Sequence, residues 1–179
     1  KEELAKRRRT PAFKAAVIAA LRAELFAEQI AVLDDPTPRI AMCCSRRAGK
    51  SEVAARMLAI ALIEAKHNEY VMFAARTLLR ARQIIFGLME KINDDYGLGW
   101  RMSAHLGQIV TEDGGCFMLL GVDDANSTEK VRGSKYRLAF LDESATYEAL
   151  LERLVVACLE PGTIDMKPRG RIVLAGSPG

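Results

Sequence analysis

A glycine–lysine–serine triplet in the first third of the chain has the composition of a phosphate-binding loop. Gly49, Lys50 and Ser51 follow an apolar run at 39–44, and Ser51 opens a helical pattern. In this strand–loop–helix context, backbone N–H groups can surround the β- and γ-phosphates of a nucleotide. Lys50 would contribute positive charge, and the Ser51 hydroxyl would be a Mg²⁺ ligand. The nucleotide-binding candidates in this loop are Ser45, Arg46, Arg47, Ala48, Gly49, Lys50 and Ser51.

A pair of carboxylates follows a second apolar run. Asp142 and Glu143 come directly after 138–141, at the end of an expected buried strand, where α/β folds place their ligands. Asp142 would hold Mg²⁺, and Glu143 would orient and deprotonate an attacking water. Because a simple kinase or GTPase has no need for a water-activating base at this position, the pair favours an ATPase.

Both motifs have a plainer interpretation. The loop could be an ordinary strand-to-helix turn with Lys50 solvated, and the acids could form a solvated turn or cap a helix. Cys44 also stands where the common pattern G-x-x-x-x-G-K-[ST] has its first glycine. The two motifs nevertheless complement each other in chemistry and spacing, and together they favour a site for a nucleotide with Mg²⁺.

The alternation of apolar runs with helical patterns predicts the framework that would hold these residues. Strands are expected at 39–44, 70–75, 137–141 and 171–175, and helices at 13–33, 51–66, 78–92 and 147–159. Segments 108–111 and 116–120 flank an acidic, glycine-containing turn, which predicts a β-hairpin. This order predicts an α/β fold, a P-loop NTPase with a central, mainly parallel sheet flanked by helices.

Length and composition fit one globular domain. The chain has 179 residues with a net charge of +3, which permits nucleic-acid contact without arguing for it. No zinc-ligand spacing relates the four cysteines, which we expect to be buried: Cys43, Cys44, Cys116 and Cys158. No apolar stretch free of charge reaches transmembrane length. Because both ends look cut, we expect a fragment of a longer protein, with one ATPase domain at 1–179 that comprises a helical lead-in at 1–35 and a core at 36–179.

Four segments together resemble the large terminase family, the motors that package DNA into phage heads. The loop at 45–51 is similar in carrying an arginine and in lacking the first glycine. Segment 25–29 lies upstream of the loop by about the distance of the family's adenine-binding motif. Segment 131–133 places Arg132 eleven residues before Glu143, as similar terminases do. Segment 174–178 resembles the family's coupling motif.

The resemblance implies an ASCE-type, RecA-like ATPase that binds ATP and Mg²⁺. It implies adenine contacts for Gln29 and Phe26, and catalytic roles for Arg46 and for Arg132, which would reach into a neighbouring subunit's site. Ser177 would sense the γ-phosphate and pass strain onward. The implied partners are double-stranded DNA, a portal protein, a small terminase subunit and further copies of the chain in a ring, in the host cytoplasm and without a membrane. The nuclease domain that follows in the family is not expected here.

Two other functions stay open. A superfamily 2 helicase-like translocase would share these motifs but needs a second RecA-like domain. A binding module that ATP switches without turnover is disfavoured by Glu143, since a pure switch has no use for a water-activating base. Arg76, Arg80 and Arg82, like the run 7–9, could contact DNA phosphates, although solvated helix faces are the interpretation we favour.

Overall fold

One mixed sheet forms the centre of the molecule. The computed structural model describes residues 2–45, 47–123, 125–166 and 170–177, and within these ranges the sheet has seven strands. They are β1 (Arg39–Cys43), β2 (Glu69–Ala75), β3 (Arg101–Ser103), β4 (Gln108–Val110), β5 (Cys116–Gly121), β6 (Lys135–Leu141) and β7 (Arg171–Gly176).

The strands lie in the order β1-β7-β6-β2-β5-β4-β3. Neighbours from β1 to β5 are parallel, whereas β4 is antiparallel to both β5 and β3. The expected α/β fold is therefore confirmed, with its mainly parallel sheet and with the hairpin as β4 and β5. Because β1, β6, β2 and β7 are parallel, the segments that follow them meet at one edge of the sheet, called here the carboxyl edge.

Helices cover both faces of the sheet. They are α1 (Glu2–Arg9), α2 (Pro11–Ala23), α3 (Ala27–Asp34), α4 (Lys50–Glu64), α5 (Leu78–Ala81), α6 (Gly87–Asp95), α7 (Ala125–Glu129), α8 (Ala149–Glu152) and α9 (Glu160–Ile164). A π-helical segment joins α5 to α6 at Arg82–Phe86, and another joins α8 to α9 at Arg153–Leu159. Among the described helices, none is long and apolar enough to cross a membrane.

Alternate residues of the central strands supply two separate cores. Phe73 of β2 and Phe140 of β6 stack with ring centroids 5.9 Å apart, on the face that α4 covers with Leu58 and Leu62. Met72 and its neighbours on the opposite face pack against the helical stretch from α8 to α9. With both faces buried, β2 and β6 form a rigid support for whatever follows them at the carboxyl edge.

The single helix expected at 13–33 is wrong, because α2 ends at Ala23 and α3 begins at Ala27. Phe26, which precedes α3, has an extended backbone with φ of −85° and ψ of 170°. The break buries Leu25 and lets α3 turn, so that Gln29 is buried as well. The lead-in also contains α1, and neither β3 nor α7 was expected.

The burial expected for the first strand and for the cysteines is also partly wrong. β1 lies at the outer edge of the sheet, so Ala41 and Cys43 on one of its faces are exposed. Cys158 is buried as expected, whereas Cys44 and Cys116 are only partly covered. All four cysteines are free thiols.

Candidate functional site

The connection from β1 to α4 has the backbone shape of an anion-binding loop. At its start, the Cys44 N–H donates to the Gly176 carbonyl oxygen of the neighbouring strand at 3.0 Å. Arg47 and Gly49 have left-handed backbones, with φ of 67° and 75°, and α4 begins at the next residue, Lys50. A turn of this kind in front of a long helix points successive N–H groups to one side, where they attract anions.

The remaining loop candidates lie around this turn. Ser45 and Arg47 are exposed, whereas Ala48, Gly49 and Ser51 are partly buried. Ser51 is the second residue of α4. Arg46 lies outside the described residues, so its catalytic and nucleotide-binding roles stay predictions.

β6 places the two acids at the carboxyl edge. The Asp142 N–H donates to the Ala74 carbonyl oxygen of β2 at 2.9 Å, and the Tyr147 hydroxyl donates to the Asp142 carbonyl oxygen at 2.8 Å. The Asp142 side chain is 8% exposed. Glu143 has a left-handed backbone with φ of 46°, a conformation that costs a residue other than glycine roughly 1–3 kcal/mol. The contacts of its neighbours hold this strained residue at the strand end.

Lys50 joins the loop to the acids. Its Nζ lies 3.0 Å from Oδ1 of Asp142 and also contacts Oε1 of Glu143, although Lys50 and Glu143 are 93 residues apart in the chain. Burial lowers the pKa of Lys50, but hydrogen bonds to Glu143 and Asp142 together outweigh burial, and the pKa lies above its ordinary value. The same hydrogen bond from Lys50 lowers the pKa of Glu143, against the opposing effect of burial. Both side chains are therefore charged at neutral pH.

The end of β7 also contacts Glu143. The Ser177 hydroxyl lies 3.0 Å from Oε1 of Glu143, and the Ser177 N–H donates to Oε2 at 3.3 Å. These hydrogen bonds contribute to the lowered pKa of Glu143. The expected coupling residue is thus in direct contact with the expected base. Pro178, the last residue of the expected coupling motif, lies outside the described residues.

A cleft of about 680 Å³ extends from the loop along α3 and β1. Phe26 lies on its rim with 51% of its surface exposed, and Gln29 is buried beside it. The Gln29 Nε2 donates to the Gly49 carbonyl oxygen, and its Oε1 accepts from the Phe26 N–H, both at 3.4 Å. One N–H and one lone pair of the amide are left for a ligand. The structure brings both expected adenine contacts to the loop, while their contact with adenine stays a prediction.

Arg132 lies away from these residues. It comes shortly before the start of β6, whereas Glu143 follows its end, and a strand of this length spans roughly 20 Å. The Arg132 guanidinium is half-exposed, and its Nε lies 3.1 Å from Oε2 of Glu129. Arg132 is therefore not among the residues that the structure brings together around Lys50.

The sequence did not place the cleft on the other side of the acids. This second cleft, of about 460 Å³, is lined by Arg76 and Arg80 together with Asp142, Glu143 and Glu148. Arg76 directly follows β2, and its Nη1 donates to the Thr146 carbonyl oxygen at 2.9 Å. These arginines lie beside the acids because β2 pairs with β6. The order of elements along the chain does not reveal that pairing.

Solved structures of several phage large terminases resemble this fold. The large terminase of a thermophilic bacteriophage, solved in complex with ADP, matches 85% of this chain and 39% of its own, at 19% identity and a TM-score of 0.62. The ATPase domain of the Thermus phage P74-26 large terminase matches 87% of this chain and 65% of its own, at 18% identity and a TM-score of 0.66. The HK97 bacteriophage large terminase matches 85% of this chain and 33% of its own, at 15% identity and a TM-score of 0.66.

The chain thus spans about two fifths or less of the ADP-bound terminase and of the HK97 terminase. Identities this low show a shared fold. No curated protein matches the sequence. The model of the N-terminal region of T4likevirus-type terminase large subunits, however, matches residues 42–157, which include Lys50, Asp142 and Glu143. Because this match covers more than half of the sequence, the chain belongs to the terminase large subunit family, T4likevirus-type.

Proposed function

We propose that the chain hydrolyses ATP and uses the released energy to move double-stranded DNA into a viral procapsid. The observation that carries the proposal is the 3.0 Å contact of Lys50 Nζ with Asp142 Oδ1, with Glu143 on the same ammonium group. This contact joins an anion-binding loop to two carboxylates, which is the combination that phosphoryl transfer to water requires. Membership of the terminase family supplies DNA packaging as the work that hydrolysis drives.

Nucleotide binding would use the loop and the cleft beside it. Loop N–H groups and Lys50 would hold the β- and γ-phosphates, while Phe26 and Gln29 lie where the base would extend along α3. Phosphate oxygens would compete with Asp142 and Glu143 for the Lys50 ammonium group. Hydrogen bonds to charged groups contribute about 1.5–3 kcal/mol each, so the exchange favours the nucleotide when its phosphates also bind the loop.

The residues fit a Mg²⁺ ion that arrives with the nucleotide. Among the described residues, no group of three or more histidine, cysteine or acidic side chains could hold a metal ion. Mg²⁺ does not need such a group, because it keeps several waters and binds one or two protein ligands together with substrate phosphates. Ser51 and Asp142 would be those ligands. When bound, the ion would neutralise charge on the phosphates.

Glu143 would act as the general base. Its pKa is lowered, first by the hydrogen bond from Lys50 and then, more weakly, by Ser177. Once phosphates engage Lys50, the carboxylate loses that hydrogen bond and its pKa rises towards the operating pH, where a base is most effective. Nucleotide binding would in this way raise the basicity of Glu143.

The proposal is tested by Glu143→Gln, which keeps the size of the side chain and removes the base. Turnover should fall by roughly 10²–10⁴-fold, while ATP still binds. Glu152→Gln on exposed α8 is the matched control and should keep the wild-type rate. Turnover should be measured with DNA and portal present, because the subunits would assemble into a ring there and a lone subunit lacks its neighbour. A wild-type rate in Glu143→Gln would refute the assignment of the base.

A ring of copies would use Arg132 from one subunit in the site of the next. Its distance from its own Glu143 and its half-exposed side chain support a role in trans. An arginine that acts in this way accelerates hydrolysis by roughly 10³–10⁵-fold. Mixing Arg132→Ala subunits with Glu143→Gln subunits should therefore restore part of the activity that each lacks alone. If no mixing ratio restores activity, Arg132 does not act in trans.

The portal, the small terminase subunit and the host cytoplasm belong to the same proposal. They are supported by family membership rather than by a contact in this chain.

A further inference from the structure

The cleft lined by Arg76 and Arg80 lies beside the acids but apart from the phosphate loop. Arg76 follows β2, Asp142 and Glu143 follow β6, and the loop follows β1. In the order β1-β7-β6-β2, β2 is three strands from β1, or roughly 14 Å at the usual strand spacing. The two carboxylates lie between the loop and the arginines. An anion bound to the arginines is therefore a different group from the one that the loop and Lys50 hold.

The two guanidinium groups have hydrogen-bonding capacity to spare. Both residues are exposed, and the guanidinium of Arg80 has no hydrogen bond or ion pair with any residue that the structure describes. Arg76 uses Nη1 on the Thr146 carbonyl oxygen, and no other described residue accepts from its remaining guanidinium donors. Glu148 lines the same cleft without pairing with either arginine in the described structure. Two arginines that line one cleft and have donors to spare match a phosphate group in charge and in hydrogen-bonding character.

We propose that Arg76 and Arg80 bind a backbone phosphate of the double-stranded DNA that the motor moves. The choice of DNA as the source of the phosphate rests on the proposed function. Duplex DNA presents phosphates as a continuous, highly charged array, so exposed arginines at a cleft mouth can reach one without enclosing it. The other source of the same chemistry is inorganic phosphate released by hydrolysis.

The position of Arg76 links this contact to the catalytic base. Its partner Thr146 lies three residues after Glu143, and the Thr146 N–H and hydroxyl both donate to the Glu143 carbonyl oxygen, at 2.9 and 2.7 Å. Glu143 and Glu148, at the two ends of this segment, both have positive φ, of 46° and 51°. Strained residues persist only while surrounding contacts hold them. A phosphate that draws Arg76 away from Thr146 would loosen the segment that orients Glu143.

The test compares the full chain carrying Arg76→Gln and Arg80→Gln with a control carrying Arg22→Gln and Arg39→Gln. The control removes two partly exposed arginines that pair with Asp34 and Glu160 and lie away from the carboxyl edge. Binding of a fluorescent DNA duplex is measured against salt concentration. Loss of the one phosphate that the two arginines neutralise should reduce the slope of log affinity against log salt by about 0.9, so that between about 50 and 200 mM salt the variant loses about 3.5-fold less affinity than wild type. The control should keep the wild-type slope.

DNA-stimulated ATP hydrolysis is the second readout. Arg80→Gln should need more DNA for half-maximal stimulation, whereas Arg76→Gln should also lower the maximal stimulation, because it loses the link through Thr146. If Arg76 had only a structural role, Arg76→Gln would lower the stability of the protein, but its maximal stimulation would not be lower than that of Arg80→Gln.

The outcomes separate this inference from the proposed function. An unchanged salt slope in the double variant, or a wild-type chain that binds no duplex, overturns the DNA site whether or not ATP is hydrolysed. A wild-type chain that binds DNA through these arginines but never hydrolyses ATP overturns the proposed function alone. Millimolar inorganic phosphate is titrated at constant ionic strength as the last arm. If the double variant loses phosphate binding but keeps the wild-type salt dependence of DNA binding, the cleft binds the inorganic phosphate released by hydrolysis instead.

Discussion

Basic side chains at the amino ends of the parallel strands differ from those at the carboxyl edge in how many of their hydrogen-bond donors have partners. Near the amino end of β6, Arg137 has only 4% of its side chain exposed and pairs with Glu64 at 2.6 Å and Glu69 at 3.3 Å. At the start of β7, Arg171 donates to the carbonyl oxygens of Leu33 and Asp35 at 2.8 and 2.9 Å. Arg137 connects β6 to α4 and β2, and Arg171 connects β7 to the end of α3, so their hydrogen bonds stabilise the fold.

At the carboxyl edge the cations differ from one another. Lys50 pairs with two carboxylates, as Arg137 does, whereas the Arg80 guanidinium has no partner among the described residues. Glu143 is held in a strained conformation at the same edge. Residue type alone therefore does not separate a cation whose bonding is used within the described structure, such as Arg137 or Lys50, from one with donors to spare there, such as Arg80.

Arg137→Met removes the charge of Arg137 and keeps an unbranched apolar stem. The variant leaves Glu64 and Glu69 without their cation, so the free energy of unfolding should fall by about 3 kcal/mol, the low end for a broken buried pair because Glu64 stays half-exposed. ATP affinity of the folded variant should not change. Urea unfolding and nucleotide titration measure the two quantities.

The control for that variant is Arg22→Met. Arg22 pairs with Asp34, and 38% and 49% of the two side chains are exposed, so its loss should cost less than about 1 kcal/mol. Equal losses of unfolding free energy in the two variants, or weaker ATP binding in Arg137→Met, would contradict the conclusion that Arg137 serves only the fold.

A smaller effect is expected for Gly49→Ala, at the carboxyl edge. Gly49 has φ of +75°, and a Cβ there would lie 2.7 Å from the Gln29 Nε2. The left-handed conformation alone costs a residue with a Cβ roughly 1–2 kcal/mol. The loss of stability should shrink in a Gln29→Ala background, which removes the clash, but should not vanish because the backbone strain remains. Gly87→Ala has open space and a helical backbone, and should be neutral or stabilising.

Much of the fold was predictable because its evidence is local. The apolar runs that became β2 and β6, and the helical pattern that became α4, are each contained in a short stretch. The position of β1 at the sheet edge was not predictable, since an apolar run fits a central or an edge strand equally well. The break before Ala27 was missed because no glycine or proline marks it, and it is the burial of Leu25 and Gln29 that requires it.

The residues of the candidate site also differ in whether local sequence evidence could identify them. Lys50, Asp142 and Glu143 could be found from motifs that adjoin a strand, and parallel pairing alone brings strand ends together. Arg76 could not be connected with Glu143, because only the adjacency of β2 and β6 joins them. Arg137 belongs to an apolar strand pattern, and nothing local announces its partners at 64 and 69.

The smallest expected effect is the pH dependence of stability that the Lys50–Glu143 pair confers. Because the pKa of Glu143 is lower in the folded chain than its ordinary value of 4.5, this carboxylate stabilises the fold above pH 4.5, and the contribution is lost as pH falls through the folded pKa. Because the pKa of Lys50 is raised, its contribution is present below pH 10.5 and is lost as pH rises through its folded pKa. The effect is small because 43% of the Glu143 side chain is exposed.

The difference in free energy of unfolding between wild type and Glu143→Gln should therefore be constant between about pH 6 and 9 and shrink on acidification below about pH 4.5. Urea unfolding across this range measures it. A difference that grows as the pH falls would mean that the Glu143 carboxylate opposes folding at neutral pH. The carboxyl edge would then be strained by its charge as well as by its backbone, and the contrast with the fully paired Arg137 would be greater than the contacts indicate.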